Sequence, residues 1–299
     1  MAGIVIAIGG NAISDPSTIG DPRSESASIR KVAREIARLY VKGNRVVVTH
    51  GNGPQVGREL TRNEVAAKKV PELPLYLLTA ETESVIGSVI STALSEELIL
   101  LKQKPEVCTV ISHVIVAKGK APWKPVGNFM SASVLRAELK RLKFDYIKKG
   151  NRYRRVVPSP KPLVLLESDM ITSLSSNGIV VTGGGGGVPM ASRHGRYSGV
   201  DAVVDKDLTS ALLAHDMKAD ILVILTDTDY LYSSSGKAIR QIRAKSLSRL
   251  VTSLEEGTIR PKVQACLDFV RGGGRAAYIG NLYKLNEILN GSSGTKITK

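Results

Sequence analysis

The sequence has few cysteines, few aromatic residues and no long apolar run. Its two cysteines, Cys108 and Cys266, are too far apart for a CxxC zinc motif, and their scarcity favours a reducing compartment. With 3 Phe, 9 Tyr and 1 Trp in 299 residues, the chain is poorly supplied with stacking platforms for single-stranded nucleic acid. No apolar run approaches the roughly 18 residues of a membrane span, and the first residues lack the basic region of a signal peptide. We therefore expect a globular protein of the cytoplasm.

What the sequence does have is an excess of positive charge, +15 in total. Between residues 118 and 155, twelve Lys or Arg residues stand against two acids, a net of +10 in what we call the basic segment. This segment could be a solvated surface, a nucleic-acid patch or a cover over a small-anion site, where positive potential speeds capture. No recognised nucleic-acid motif accompanies it, and composition leaves the other two interpretations open.

Short apolar runs alternate with helical patterns along most of the chain. The predicted strands are residues 3–8, 45–49, 107–112, 114–117, 179–182, 221–225 and 275–279. The predicted helices are residues 28–42, 75–101, 167–177, 205–215, 247–254 and 261–270. This alternation is typical of an α/β fold in which helices cover both faces of a largely parallel sheet.

Three of the predicted strands end in glycine-rich turns. The turns are Gly9-Gly10-Asn11, Gly51-Asn52-Gly53 and the five glycines at 183–187. In an open parallel sheet, ligands bind beyond the carboxyl ends of the strands. Glycine lets the backbone approach an anion closely, and a following helix offers it free N–H groups. The three turns together predict a site for phosphate or another small anion, and His50 is a candidate lining residue.

Two common nucleotide motifs are missing from the sequence. A P-loop needs Gly-Lys followed by Ser or Thr, whereas Lys120 and Lys237, the lysines that follow glycine, both precede alanine. The run from Gly51 to Gly57 contains one residue too many for the GxGxxG turn of dinucleotide-binding proteins. Any nucleotide site must therefore be built in another way.

Lysines near the glycine turns are candidates for phosphoryl transfer, which depends on positioning and cationic stabilisation. Lys206 lies between Asp205 and Asp207 at a predicted helix start, where aspartate is favoured but lysine gains nothing from the helix dipole. Lys262 stands at another helix start, and Lys124 directly precedes a proline that restricts the backbone. By these arguments alone, each could equally be a residue of a helix cap or of the surface.

Five stretches of the sequence resemble the carbamate kinases of the amino-acid kinase superfamily, in order and at familiar spacing. They are AIGGNA at 7–12, THGNGPQVG at 49–57, RRVVPSP at 154–160, DKDL at 205–208 and LTDTD at 225–229. The second stretch is specific, and the resemblance covers essentially the whole chain. It implies an α/β fold, a three-layer αβα sandwich around a mainly parallel sheet with a small protruding subdomain. It also implies a homodimer that catalyses reversible phosphoryl transfer between ATP and carbamate, giving ADP and carbamoyl phosphate.

The resemblance further implies two lobes with different tasks. Residues 1–195 would form an N-terminal lobe that holds carbamate, with the basic segment as its protruding subdomain. Residues 196–299 would form a C-terminal lobe that binds the nucleotide, with Mg²⁺ held on the nucleotide phosphates rather than by a protein metal site. The implied direction is ATP synthesis from carbamoyl phosphate in arginine metabolism, with small molecules as partners and neither nucleic acid nor membrane.

The resemblance also implies roles for individual residues. Those expected at the transferred phosphoryl group and the acceptor are Gly9, Gly10, Asn11, Gly51, Asn52 and Gly53. Those expected to be catalytic are Lys206, Lys262, Asp207, Lys124 and Asp205. Those expected to bind the nucleotide are Gly184, Gly185, Asp227, Tyr232 and Lys262. In this assignment two lysines stabilise the charge of the transferring group, the aspartates orient them, and Lys124 folds over the site from the basic segment.

The sequence departs from the family pattern at a few places. Ala7 stands where acetylglutamate kinases carry a lysine, which agrees with Lys206 taking over that task. Ile259-Arg260 replaces the usual Met-Gly before Pro261-Lys262, so Arg260 could add a phosphate contact or alter the nucleotide pocket. Residues 128–151 match little, which leaves the selectivity of the basic segment open.

Two alternatives remain at this point. One is another kinase of the same fold that acts on a different small carboxylate or phosphonate. The other is a member of the fold that has lost catalysis and serves as an allosteric or nucleic-acid-binding protein. The presence of Lys206, Asp207 and Lys262 argues against lost catalysis, and the shortage of aromatic residues argues against nucleic acid.

Overall fold

An eight-stranded sheet lies at the centre of the computed structural model, which describes residues 1–10, 22–127, 129–133, 145–233, 235–251 and 259–299. In spatial order its strands are β16 (Gln241–Arg243), β18 (Thr295–Thr298), β17 (Ala276–Asn281), β13 (Ile221–Thr226), β1 (Gly3–Ile8), β2 (Arg45–His50), β10 (Ile179–Thr182) and β3 (Val107–Thr109). Every neighbouring pair is parallel except β17 and β18. Parallel strands that start on one side bring all of their carboxyl ends, and the loops that follow, to one edge.

Helices cover both faces of this sheet. Those described are α1 (Pro22–Val41), α2 (Gly53–Ala66), α3 (Leu75–Leu100), α4 (Ser168–Leu174), α5 (Lys206–Asp216), α6 (Ala244–Val251), α7 (Ile259–Arg271) and α8 (Leu285–Leu289). Successive residues of β1 point to opposite faces: Ile4 and Ile6 pack with α1, α3 and α8, whereas Val5 and Ala7 pack with α4, α5, α6 and α7. The predicted αβα sandwich is therefore confirmed.

The basic segment forms a small sheet of its own. Antiparallel pairs join β8 (Arg152–Pro158) to β5 (Trp123–Pro125), β6 (Met130–Ser131) and β7 (Asp145–Lys149). Asn128 and residues 134–144, where the sequence analysis left selectivity open, lie outside the described residues, as does Asn11. The sequence analysis did not predict these strands, because charged residues interrupt the apolar alternation by which a strand is found.

Two further sheets flank the centre. One contains β12 (Arg196–Gly199), β11 (Val188–Arg193), β4 (His113–Val116) and β9 (Pro162–Leu165), and the other pairs β14 (Leu231–Tyr232) with β15 (Ala238–Ile239). The predicted lobe boundary at residue 195 falls in the turn between β11 and β12, which pair with each other. The central sheet joins strands from both sides of that boundary, since β1 pairs with β13. The division into two lobes stays a prediction.

Two general features of the chain bear on the sequence analysis. Cys108 and Cys266 are both free thiols. Among the residues that the structure describes, none of the helices combines the length and the apolar character that crossing a bilayer requires.

Candidate active site

The three glycine-rich turns lie side by side at the carboxyl edge of the central sheet. A Cβ added to Gly51 would stand 2.6 Å from the backbone nitrogen of Gly10, so the first two turns are nearly in backbone contact. A Cβ on Gly185 would collide with the Asn52 side chain, which brings the third turn against the second. Glycine is required at these positions because no side chain fits between the backbones. Gly10, Gly51, Asn52 and Gly185 are thus brought together from the three turns.

All five predicted catalytic residues meet in one group beside these turns. Asp205 caps α5, and its Oδ1 accepts a hydrogen bond of 2.9 Å from the N–H of Asp207. The ammonium of Lys206 lies 2.5 Å from Asp207 Oδ1, and that of Lys262 lies 2.9 Å from Asp207 Oδ2. Lys124, from the basic segment, contacts Asp205 Oδ2 at 2.7 Å. Residues far apart in the chain, on β5, α5 and α7, thus converge on two neighbouring carboxylates.

We call Lys206, Asp207 and Lys262 the lysine cluster, and burial controls its electrostatics. Burial alone would raise the pKa of Asp207, but the two ammonium groups outweigh it and hold that pKa well below its ordinary value. Burial lowers the pKa of Lys206, and Asp207 offsets this in part. For Lys262 burial is the largest single effect and lowers the pKa, but the carboxylates of Asp207, Asp205 and Asp227 together outweigh it and raise the pKa. The opposite shifts agree with exposure, since Lys206 is the more deeply buried of the two side chains.

Hydrogen bonds fix the start of α5 against the glycine turns. The hydroxyls of Thr49 on β2 and Ser210 on α5 lie 2.6 Å apart, and Ser210 donates to the carbonyl of Lys206 at 2.5 Å. Thr209 donates from its hydroxyl to the carbonyl of Gly186 at 2.9 Å. These contacts place the lysine cluster directly behind the turns.

The residues predicted to bind nucleotide fall into two groups. Asp227 follows β13 and accepts a 3.0 Å hydrogen bond from Thr226, and its charge contributes to the raised pKa of Lys262, which places it near the lysine cluster. Tyr232 on β14 is half-exposed, with its ring edge-on to Tyr230. The contact of both residues with a nucleotide stays a prediction.

Gly184 and Gly185 lie elsewhere, against the second glycine turn and α3. The N–H of Gly184 donates to Glu83 Oε1 at 2.9 Å, and Gly185 faces Asn52. The Gly184 N–H is therefore engaged by a side chain of the protein. This geometry favours a supporting role beneath the second turn over the predicted nucleotide contact.

Comparison with known proteins adds the family. The sequence model of the amino acid kinase family matches residues 3–281. The carbamate kinase of Pyrococcus horikoshii is 37% identical over 99% of this chain and 98% of its own length. The carbamate kinase-like protein YahI of Escherichia coli is also 37% identical, over 99% and 98%. The structure of carbamate kinase from Giardia lamblia bound to AMP-PNP superposes with a TM-score of 0.90, at 32% identity, covering 100% of this chain and 98% of that one.

The chain belongs to the amino acid kinase family. Within it the chain is a member of the carbamate kinases, because relatives of that group match it from end to end. The predicted family, the predicted fold and the predicted ATP-dependent phosphotransferase activity of a carbamate kinase are confirmed.

In this member of the carbamate kinases, the basic segment is attached directly to the turn after β2. The N–H of Gly127 donates to the carbonyl of Gly53 at 3.1 Å. The buried Arg155 guanidinium contacts both carboxylate oxygens of Glu64 on α2, at 2.7 and 2.8 Å. The segment that carries Lys124 is thus held by α2, the helix that begins at the turn. Neither contact was predicted, because helix α2 itself was missed in the sequence analysis.

Two buried polar residues behind the turns were also missed as site residues. His50 was considered only as a lining residue, and Glu83 was not assigned a role. Both are fully buried. A signal for Glu83 existed, since it shares the buried face of α3 with Thr79, Thr82 and Ile86 at helical spacing. A carboxylate on such a face requires a partner or a bound proton.

Proposed function

We propose that the carbamate kinase reaction of this chain takes place between the lysine cluster and two of the glycine turns, the one at Gly9–Gly10 and the one at residues 51–53. We call the turn at residues 51–53 the acceptor turn. The observation that carries this proposal is the sharing of one buried carboxylate, Asp207, by two ammonium groups beside backbone turns that only glycine can form. The three lysines of the group and its two carboxylates leave one positive charge in a largely buried region, where Lys124 is the most exposed of the five side chains. Such a place suits a phosphoryl group in transfer.

Lys206 and Lys262 stabilise the negative charge of the transferring phosphoryl group. Asp207 positions both ammonium groups and remains ionised, because its pKa lies well below its ordinary value. It is therefore an orienting residue and not a proton acceptor. Asp205 holds the start of α5 and also contacts Lys124, so the basic segment brings a third ammonium group to the same place.

The acceptor is held mainly by backbone groups. The N–H groups of Gly9 and Gly51 are used within the sheet edge, where they donate to the carbonyls of Leu225 and Ile8. Helix α2 begins at Gly53, whose N–H has no acceptor within the helix, whereas the next residue, Pro54, has no N–H to donate. A few backbone donors suit an anion as small as carbamate, which offers little for side chains to recognise.

ATP and ADP bind on the side of Asp227 and Tyr232, with Lys262 reaching the phosphates. The Giardia lamblia relative was solved with AMP-PNP, which supports a nucleotide substrate for this chain. In the part of the chain that the structure describes, no group of three or more His, Cys, Asp or Glu residues could hold a metal ion. We place Mg²⁺ on the nucleotide phosphates, where it neutralises charge as they approach the lysines.

We further propose that the protein acts as a homodimer through the outer edge of the sheet. The edge strand β3 has a neighbour on one side only among the described residues. Next to it α3 presents exposed apolar side chains, Val85, Ile99 and Leu100. An edge strand beside a helix with exposed apolar side chains is a surface that a second copy can cover. Analytical ultracentrifugation tests this: a monomer at micromolar concentration would contradict it.

The test of function is ATP formation from ADP with carbamoyl phosphate as donor and acetyl phosphate as the matched control. We expect turnover with carbamoyl phosphate and little with acetyl phosphate. Turnover only with another acyl phosphate or with a phosphonate would favour a different small acceptor. Comparison of rates in both directions decides whether ATP synthesis, the proposed physiological direction, is favoured.

A further inference from the structure

A histidine and a glutamate lie buried directly beneath the acceptor turn. His50 is the last residue of β2, Glu83 lies on α3, and both are fully inaccessible to solvent. Gly184 passes beside both: a Cβ there would stand 2.7 Å from His50 Nε2 and 2.6 Å from Glu83 Cγ. The two side chains are thus brought together at a position that only glycine can occupy.

The hydrogen bonds of Glu83 all fall on one of its oxygens. Oε1 accepts from the N–H of Gly184 at 2.9 Å, from the hydroxyl of Ser112 at 2.8 Å and from the N–H of Ser112 at 3.3 Å. Among the described residues Oε2 has no partner. A carboxyl group that accepts three hydrogen bonds on one oxygen and none on the other is arranged as an acid, with its proton on the second oxygen.

His50 complements this arrangement. Its Nδ1 faces the carbonyl of Gly51 at 3.3 Å, a contact that only a protonated ring nitrogen can make as a donor. In neutral imidazole the other nitrogen, Nε2, is then an acceptor, and it too lacks a hydrogen-bond partner among the described residues, although the backbone of Glu83 lies near the ring and raises the pKa of His50 against the effect of burial. The site therefore holds an unused donor on Glu83 and an unused acceptor on His50, on side chains that meet at Gly184.

We propose that Glu83 and His50 share one proton and form an uncharged support beneath the acceptor turn, and that loss of this proton at alkaline pH weakens binding of the anionic acceptor. The proton is shared directly after a small rotation, or through one bridging water. Both residues are positioning residues, since neither is placed to contact the substrate. The inference rests on the proposed acceptor site.

The surroundings favour the uncharged state of the pair. Burial raises the pKa of Glu83 to about 8, against the opposing effect of its hydrogen bonds. Burial also lowers the pKa of His50 to about 4. At neutral pH Glu83 is therefore protonated and His50 is neutral, so the pair has no net charge.

Other ionisable groups act on the pair from several sides. Glu167, which precedes α4, raises the pKa of Glu83, and Lys206 lowers that of His50. The neighbouring β3 contributes Cys108, whose pKa burial raises, and β11 contributes Arg193 at its exposed end. On α1 and α2, which also pack against α3, Glu35 accepts a hydrogen bond from the N–H of Asn286 and Lys31 lies over the Tyr283 ring. Five further charged groups are engaged in ion pairs: Arg30, Arg34, Glu59, Arg62 and Glu64. None of these supplies a charge that would replace the proton on Glu83.

The sign of the pH effect follows from this arrangement. As pH rises through the pKa of Glu83, a negative charge develops under a turn whose function is to hold an anion. Repulsion in a buried region is strong because the local dielectric is low. The Michaelis constant for the anionic acceptor should rise, while kcat changes less because the lysine cluster keeps its geometry.

The kinetic test uses Glu83→Gln, which keeps the shape and removes the titration. Its matched control is Glu97→Gln, because Glu97 is a buried glutamate of the same helix that pairs with Arg34 away from the turn. Between about pH 7 and about pH 9, KM for carbamoyl phosphate should rise roughly tenfold in the wild type and in Glu97→Gln. In Glu83→Gln it should stay flat. A rise in Glu83→Gln equal to that of the wild type would overturn the proposal.

A second measurement does not depend on activity. The infrared carbonyl band of a protonated carboxylic acid should be present in the free wild-type protein at neutral pH and disappear as pH rises. The band should persist in Glu97→Gln and be missing in Glu83→Gln, with circular dichroism to verify folding. If the band does not titrate in the wild type, the proposal fails even though the enzyme is active. If the band titrates but the protein does not use carbamoyl phosphate, the protonation of Glu83 is supported and only the proposed function fails.

Discussion

Positive charge is used in two different ways in this protein. In the lysine cluster, Lys206 is buried, the side chain of Lys262 is nearly so, and both share the carboxylate of Asp207. In the described part of the basic segment, most of the lysine and arginine side chains face water. Those that are exposed are Lys118, Lys120, Lys148, Lys149 and Arg152. From this segment Lys124 and Arg155 reach inward, each to a carboxylate.

The comparison shows that the burial of charged residues, more than their number in a segment, indicates which of them form a site. Exposed ion pairs contribute about 0–1 kcal/mol, because water and salt screen them. A buried charge that loses its partner costs about 3–5 kcal/mol, so it persists only where the structure requires it. The net charge of +15 is therefore mainly a property of the surface. The proposed chemistry depends on three residues that are shielded from water to a large degree, Lys206, Asp207 and Lys262. Mutations that separate the two regions test this distinction.

The largest effect is expected for Lys206→Ala. Removing the buried ammonium takes away charge stabilisation in the transition state and leaves Asp207 with one partner, so kcat should fall by about a thousandfold or more. Lys237→Ala, at an exposed lysine, is the control. Steady-state kinetics with both substrates saturating measures the change. A kcat within about tenfold of the wild type would contradict the proposed role.

Lys262→Ala should have the next largest effect, a loss of about a hundredfold in kcat/KM for the nucleotide. Lys262 is less buried than Lys206 and lies nearer to Asp227, so its loss should affect nucleotide binding as well as turnover. Measurement of KM for ADP separates the two contributions. If KM is unchanged and only kcat falls, the proposed reach toward the nucleotide phosphates is wrong.

Sequence reasoning was most successful where local pattern and topology coincide. The predicted helix at 75–101 is observed as Leu75–Leu100, because its apolar residues recur over many turns. The lysine cluster was expected from the resemblance to the carbamate kinases, because position at a helix start left Lys206 and Lys262 equally open to a role in a helix cap or on the surface. The strands of the basic segment were missed because their charged residues hide the period of two.

The buried pair of His50 and Glu83 shows what sequence reasoning could not reach. Glu83 and Glu97 both lie on the buried face of α3, and helical spacing does not reveal which of them is left without an ion-pair partner. The surroundings of Glu83 depend on the glycine turn that follows β10. This turn contacts α3 although it lies about a hundred positions away in the chain. The function of such a carboxyl group is determined by its tertiary surroundings and not by its motif.

The lowered pKa of Lys206 predicts an alkaline limit on turnover. The charged ammonium is the active form, and burial disfavours it, so kcat should decline at a pH below the ordinary lysine value of about 10.4. Above its pKa the decline is about tenfold per pH unit. Asp207→Asn removes the carboxylate that opposes the effect of burial, so it should move the limit to still lower pH. The pH dependence of kcat is measured with Asp207 intact and with Asp207→Asn, in both cases in the Glu83→Gln background. This background removes the proposed effect of Glu83 on acceptor binding.

Lys124→Ala should lower kcat/KM by about tenfold, because its ammonium is partly exposed but held 2.7 Å from Asp205. Lys120→Ala is the matched control, an exposed lysine of the same segment. The comparison within one segment isolates position from charge, since both variants remove one positive charge. Equal kinetics for the two variants would mean that Lys124 belongs with the solvated surface.

The smallest effect is expected for the paired change Lys148→Gln and Lys149→Gln on β7. Both side chains face water, so they can act on an anionic substrate only through long-range potential, which is screened over about 8 Å at physiological salt. At that salt concentration kcat and KM should each change by less than about twofold. At low salt KM for the anionic substrates should rise slightly, because capture is slower. A large loss of kcat at high salt would show instead that the exposed part of the basic segment acts at the site as the buried lysines do.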